Sequence, residues 1–163
     1  MVYFLCGLQE DAKKIQCDTV ACRQSVLVDS MLDSCDADDA DVPLDLPWTI
    51  LQLVVEFMEY HQKNPMAKIH QPISTNNLAE IVGEWDDRFV SKLEVEELKL
   101  LFGAANYMEI KDLLSLCACK FACLVKGKSN EEMEAMVKLS NEEKMRIADE
   151  NPWIFEISKL DEV

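Results

Sequence analysis

The sequence predicts an α+β chain, with a small sheet near its start and helices making up most of the remainder. Three stretches carry that expectation. VYFLC (Val2–Cys6) and the shorter run ending at Cys17 favour β structure around a turn with Gly7, Glu10 and Asp11. Residues 48–60, WTILQLVVEFMEY, place Ile50, Val54, Phe57 and Met58 on one helical face, joined by Leu51 and Val55. Residues 97–128 then read as two helices with a break near Met108 and Glu109.

In the first helix of that pair Leu98, Leu101, Phe102 and Ala105 recur at i, i+3, i+4 and i+7. Leu100, Ala104 and Tyr107 lie off that stripe, so the helix is either deeply buried or covered by a partner. The second helix repeats the pattern through Ile110, Leu113, Leu114, Cys117, Phe121, Leu124 and Val125. It stops at Gly127, a residue able to take a left-handed cap.

Composition narrows the function. With 163 residues and 49% hydrophobic content the chain has enough material for one cored domain and a modest appendage. A net charge of −15 disfavours nucleic acid and anionic membranes, both of which call for clustered Lys and Arg. No apolar run reaches the roughly 20 residues needed to cross a bilayer, and the first residues lack a basic signal-like region. A soluble, intracellular protein is expected. The seven cysteines form no CxxC pair. Cys119 and Cys123 share a helical face that suits a metal or redox pair, but small apolar filler in a reducing compartment is the preferred reading. His61 and His70 have no acid or nucleophile at a catalytic spacing and are read as surface residues.

In chain order, Asp18 or Thr19 is expected to cap a short helix over residues 21–27. The acidic run after it, with Asp33, Asp36, Asp38, Asp39 and Asp41, lacks the glycine and final glutamate of a calcium loop and reads as solvated. VPLDLP is a Pro-bounded edge strand. Residues 61–81, with Pro65 and Pro72, read as a partly ordered loop with a short helix near residues 77–82. Trp85 and Phe89, at i and i+4, anchor the return from it. Ser129 with Glu132 and Ser140 with Glu143 are two capping boxes, predicting helices over 130–139 and 141–150. Trp153, Ile154, Phe155 and Ile157 close the chain as an apolar cluster. No nucleophile elbow, P-loop or dinucleotide fingerprint is present, so an interaction module is expected rather than an enzyme, with no cofactor and no catalytic or metal residues.

AANYMEIKDLL, KGKSNEE and ENPW together resemble the Skp-family adaptors of SCF ubiquitin ligases, as do Trp85, Asp86 and Phe89 in the WDxxF segment. The resemblance implies a BTB/POZ-like domain over residues 1–127 with a loop insertion near 61–83, and a C-terminal helical extension over 128–163. It further implies a non-enzymatic adaptor of the cytoplasm and nucleus that bridges a cullin to F-box proteins. By resemblance the cullin-facing residues are Val42, Pro43, Leu44, Asn106 and Tyr107. The F-box-facing residues are Leu98, Leu101, Leu116, Phe121, Val125, Met133, Met136, Val137 and Trp153. A weak homodimer is expected when no F-box protein is bound.

The chain departs from the family pattern at Lys99 and Gly103, where apolar residues are usual, and at Glu109, where Asp caps better. Gly103 inside a helix costs about 1 kcal/mol relative to Ala, so close packing is expected there. Two other readings stay open: an F-box-protein partner outside any cullin ligase, and a cysteine-based enzyme or redox sensor.

Overall fold

The computed structural model describes residues 2–6, 13–34, 40–73, 75–137 and 146. By its internal contacts the chain divides into two units, Met1–Leu124 and Val125–Val163. The first unit is built on a three-stranded sheet in the order β2-β1-β3. β1 (Val2–Cys6) pairs antiparallel with β2 (Lys13–Cys17), opposing Phe4 to Ile15, and parallel with β3 (Ala40–Leu44), opposing Phe4 to Val42. Side chains alternate across a sheet with a period of two. Accordingly Val2, Phe4, Cys17, Val42 and Leu44 are buried, whereas Pro43 faces out. Pro43 is tolerated because β3 is an edge strand and its missing N–H breaks no ladder bond.

Between β2 and β3 the backbone forms two short helices where the sequence suggested one. Asp18 caps α1 (Thr19–Cys22), its carboxylate accepting from the Val20 N–H at 2.8 Å. Ser25 caps α2 (Val26–Asp33), accepting from the Val28 N–H at 3.2 Å. The second cap restarts the helix after Arg23 and Gln24, which is why it runs beyond residue 27. Arg23 ties α2 down through Asp29 and, at 3.1 Å, through Asp33. Lys14 pairs with Asp41 at 2.6 Å across the sheet. Asp36, Asp38 and Asp39 lie outside the described residues.

α3 (Trp48–His61) is the central helix. Ile50, Leu51, Val54, Val55, Phe57 and Met58 are all buried on it, each contributing roughly 1.5–3 kcal/mol of transfer free energy. It packs against α1, β2 and α6 (Val95–Tyr107). The expected loop follows, and a short helix, α4 (Leu78–Val82), does form within it. Gly83 joins α4 to α5 (Glu84–Ser91) at φ +104°, a conformation that excludes residues with a Cβ.

His61 is buried, not on the surface as the sequence suggested. Its Nδ1 lies 2.7 Å from the Asn64 carbonyl and its Nε2 2.9 Å from an Asp86 carboxylate oxygen. A carbonyl only accepts, so Nδ1 is the donor in the first of these bonds. Trp85 stacks on Tyr60 at 3.7 Å between ring centroids and on Phe89 at 5.0 Å. The aromatic pair therefore does anchor the return from the loop, and the buried histidine locks the place where the loop departs.

α6 and α7 (Lys111–Val125) form the expected pair. α6 starts with an unforeseen capping box between Glu94 and Glu97. At its other end Glu109 adopts φ +52°, with its N–H donating to the Asn106 carbonyl and the Ile110 N–H to the Ala105 carbonyl. That is a Schellman ending with glutamate in the left-handed position. Glu109 thus serves α6 as its exit residue, beyond the capping comparison drawn from sequence. Gly127 turns the chain after α7 at φ +82°. In the second unit α8 (Asn130–Val137) starts at the first predicted capping box, Ser129 N–H to Glu132 at 2.8 Å and Glu132 N–H to the Ser129 hydroxyl at 3.3 Å. The second box and the helix predicted over 141–150 fall outside the described residues, save Arg146.

Ser25 joins the beginning of the fold to its end. Its buried hydroxyl donates to the Met108 carbonyl at 2.6 Å while accepting from Val28. Ser25→Ala removes a helix cap and strands a buried carbonyl, so a loss of about 2–3 kcal/mol is expected in urea unfolding.

Candidate functional site

α6 has a buried side and an open side. Leu98, Leu101, Ala104 and Ala105 point into the core, and Met108 and Ile110 just beyond the helix are also buried. On the open side Leu100, Gly103 and Tyr107 fall at i, i+3 and i+7, forming one strip. Leu100 is 53% exposed and Tyr107 47%. Phe102 and Asn106, both exposed, run beside that strip at i and i+4. One side of α6 is therefore core, and the other is exposed and partly apolar.

Gly103 sits in the middle of the open side. A Cβ built there meets no atom within 4 Å. The close packing expected from sequence is therefore absent within this chain.

α7 buries Leu113, Leu116, Cys117 and Cys119. Lys120 donates to the Ser91 hydroxyl at 2.8 Å, fixing α7 against α5. Its outer side carries Ser115 and Ala118, exposed, with Leu114, Phe121 and Ala122 half-buried. Phe121 meets Phe102 of α6 edge to face, 6.0 Å between centroids, a favoured aromatic geometry. Phe102, Leu114, Ala118 and Ala122 line one wall of a groove of about 990 Å³, and Met66, Ile69 and Ile73 from the α3–α4 loop line the other.

The resemblance-derived residues divide accordingly. Of the cullin-facing set, Asn106, Tyr107 and Pro43 are exposed, whereas Val42 and Leu44 are buried under the sheet. Strand alternation is the reason: with Pro43 outward, its two neighbours must point inward. Of the F-box-facing set, Leu98, Leu101 and Leu116 are core residues with at most 1% exposure, so they support the surface without forming it. Leu98 and Leu101 lie on the apolar stripe that α6 turns to the core, and Leu116 lies with Leu113 and Cys117 on the buried side of α7. Phe121 is half-buried, Val125 is 41% exposed, and Met133 is half-buried. The side chains of Met136 and Val137, and all of Trp153, lie outside the described residues. Surface residues missing from the resemblance-derived set are Leu100, Phe102, Leu114 and Ala118. Leu100 was legible as an apolar residue off the main stripe; Leu114 was not, because it belongs to the stripe itself.

The thiols are packing groups. Cys17, Cys22, Cys117 and Cys119 are buried, and the described cysteines are all free. Burial pushes Cys117 up to about 12. Cys119 is raised to about 11, chiefly by burial and secondarily by Cys123. Cys17 is raised by its hydrogen bond with Cys22 and then by burial. Thiolate is the nucleophilic form, so none of these three is poised to react. Among the described residues no cluster of three or more His, Cys, Asp or Glu is arranged to hold a metal, and no helix is long and apolar enough to cross a membrane.

Comparison with known proteins places these surfaces in context. Residues 111–154 match the family model described as "Skp1 family, dimerisation domain". The chain is 32% identical over 144 residues to the "S-phase kinase-associated protein 1 homolog" of Tetrahymena thermophila, covering 85% of this chain and 86% of that protein. It is 29% identical over 150 residues to the "E3 ubiquitin ligase complex SCF subunit sconC" of Arthroderma benhamiae, covering 88% and 90%. It is 27% identical over 150 residues to "SKP1-like protein 18" of Arabidopsis thaliana, covering 89% and 92%.

Two measurements follow from this geometry. Gly103→Ala places a methyl group in open space and removes the helical glycine penalty, so thermal or urea unfolding should show a gain of about 1 kcal/mol. In native protein near pH 7, iodoacetamide should label Cys17, Cys117 and Cys119 far more slowly than the unfolded chain; rapid reaction at any of them would reinstate a thiol-based activity.

Proposed function

Because the chain belongs to the Skp1 family, we propose that it is a non-enzymatic adaptor of an SCF-type ubiquitin ligase, bridging a cullin to F-box substrate receptors in the cytoplasm and nucleus. The observation that carries this reading is the open side of α6, where Asn106 and Tyr107 stand exposed at the end of a helix whose other side is core. A large ring with a polar tip, held by a rigid helix ending, is the type of residue that dominates protein interfaces. The cullin contact is assigned to Asn106, Tyr107 and Pro43.

The F-box contact is assigned to the outer side of α7, with Phe121 and Val125, together with Met133, Met136, Val137 and Trp153 of the C-terminal extension. Methionine suits a surface serving several receptors, because an unbranched, polarizable side chain repacks against different partners. Such an interface buries on the order of 1,600 Å². Left without a receptor, the apolar extension favours a weak homodimer.

Affinity purification from cells, comparing wild type with Asn106→Ala/Tyr107→Ala and with Trp153→Ala, tests the reading. The double variant should lose cullin about 30-fold or more while keeping F-box proteins, as truncation of an interface hot spot does. Trp153→Ala should lose F-box proteins while leaving the fold intact. Recovery of F-box proteins without cullin from the wild type would mean a role outside a cullin ligase. Recovery of neither would overturn the adaptor reading.

A further inference from the structure

His61 meets an acceptor at each of its ring nitrogens. Nδ1 lies 2.7 Å from the Asn64 carbonyl, and Nε2 lies 2.9 Å from a carboxylate oxygen of Asp86. Both side chains are buried. A neutral imidazole has one N–H and one lone pair, so it can donate to only one of these oxygens. With Nδ1–H given to Asn64, the bond to Asp86 needs a further proton. That proton sits either on the ring, giving an imidazolium beside a carboxylate, or on Asp86, giving two neutral groups.

The places of the two residues in their helices decide between these. His61 is in the last turn of α3, at the negative end of that helix dipole. Asp86 is in the first turn of α5, at the positive end of its own. Each helix end favours the charged form of the side chain it holds. A hydrogen bond between the two charges then offsets part of the cost of burying them. Around the ring stand Phe57 and Tyr60 of α3, at 4.3 and 5.1 Å between centroids, and Trp85 of α5 at 5.5 Å. Of these three only the Tyr60 phenol is ionisable. Asp18, which caps α1, accepts from the neighbouring Gln62 at 3.0 Å and adds negative charge beside that end of α3.

We propose that His61 and Asp86 form a proton-dependent latch: the imidazolium fastens the turn after α3 to the start of α5, and loss of its proton undoes one of its two bonds. With one N–H left, the ring donates to Asn64 and turns a lone pair on Asp86, or donates to Asp86 and turns one on the Asn64 carbonyl. Either way two acceptors face each other away from water. The fastening therefore stands while the ring is charged and is lost as pH rises through its titration. Three amides report its state. In the turn the Gln62 N–H donates to the Met58 carbonyl and the Asn64 N–H to the Tyr60 carbonyl; at the start of α5 the Asp87 N–H donates to the Gly83 carbonyl.

The test follows the full chain by NMR from about pH 5, below the ordinary titration of histidine, upward until the His61 ring loses its proton. It reads the His61 ring nitrogens together with amide exchange relative to the unfolded chain at the same pH. At the start both ring nitrogens should carry a proton. As His61 loses one, protection at Gln62, Asn64 and Asp87 should fall about tenfold, while the amide of Leu101 in the core of α6 holds. The exposed His70 should titrate without effect on the three amides. A ring with a single proton at every pH overturns the proposal, and so does proton loss with protection unchanged or lost equally at Leu101. In Asp86→Asn the introduced amide can donate to Nε2 of a neutral ring, so protection should no longer follow the titration of His61; a persisting fall overturns the latch. If that variant does not fold, the wild-type titration decides.

Discussion

The structure depends on ending a helix inside its own core. Met108 and Ile110, which follow α6, are fully buried, so the last carbonyls of that helix cannot be left to water. Four carbonyls at this ending find donors within the chain: Ala104 from Met108, Ala105 from Ile110, Asn106 from Glu109, and the cap residue Met108 from the Ser25 hydroxyl. A buried unsatisfied carbonyl costs about 1–3 kcal/mol, a large part of the margin of a small domain. Satisfying all four fixes the direction in which the chain leaves α6. It also sets the exposed pair Asn106 and Tyr107 between the buried Ala105 and Met108.

That constraint carries across the fold through Ser25. The hydroxyl that receives the Val28 N–H also reaches the end of α6, so α2 is tied to that end by a buried polar contact. α2 in turn packs on β3, where Pro43 faces outward. The elements bearing the proposed cullin contacts are thus joined by one short physical chain. A second buried polar group, His61 at the end of α3, is held by Asp86 of α5 and by the Asn64 carbonyl where the chain leaves that helix. Both groups have their partners, and among the described residues no buried side-chain nitrogen or oxygen lacks one.

Apolar residues on α6 and α7 serve two ends. Leu98 and Leu101 of α6 and Leu113 and Leu116 of α7 close the core, whereas at the margins of the buried surface Leu100, Phe102 and Leu114 stay wholly or partly open. Gly103 belongs with the margins.

By itself the sequence determined the element order, the edge character of β3, the helix pair, the capping box that starts α8, and the family. Those features are local: period, turn chemistry and motif spacing reside in neighbouring residues. It also marked Trp85 and Phe89 as the anchor of the returning loop, because they sit one helical turn apart. Which apolar side chains would be surface and which core was decided only by tertiary structure, since an i, i+3, i+4 stripe does not reveal how wide a strip the neighbours cover. Leu98 and Leu101 went inward for that reason, whereas Val42 and Leu44 did so by strand alternation about the outward Pro43. His61 was hidden from sequence reasoning because its partner Asp86 lies 25 residues away. The packing of Met66, Ile69 and Ile73 against the core was hidden likewise, since a loop's resting place depends on the surface it returns to and not on its own composition.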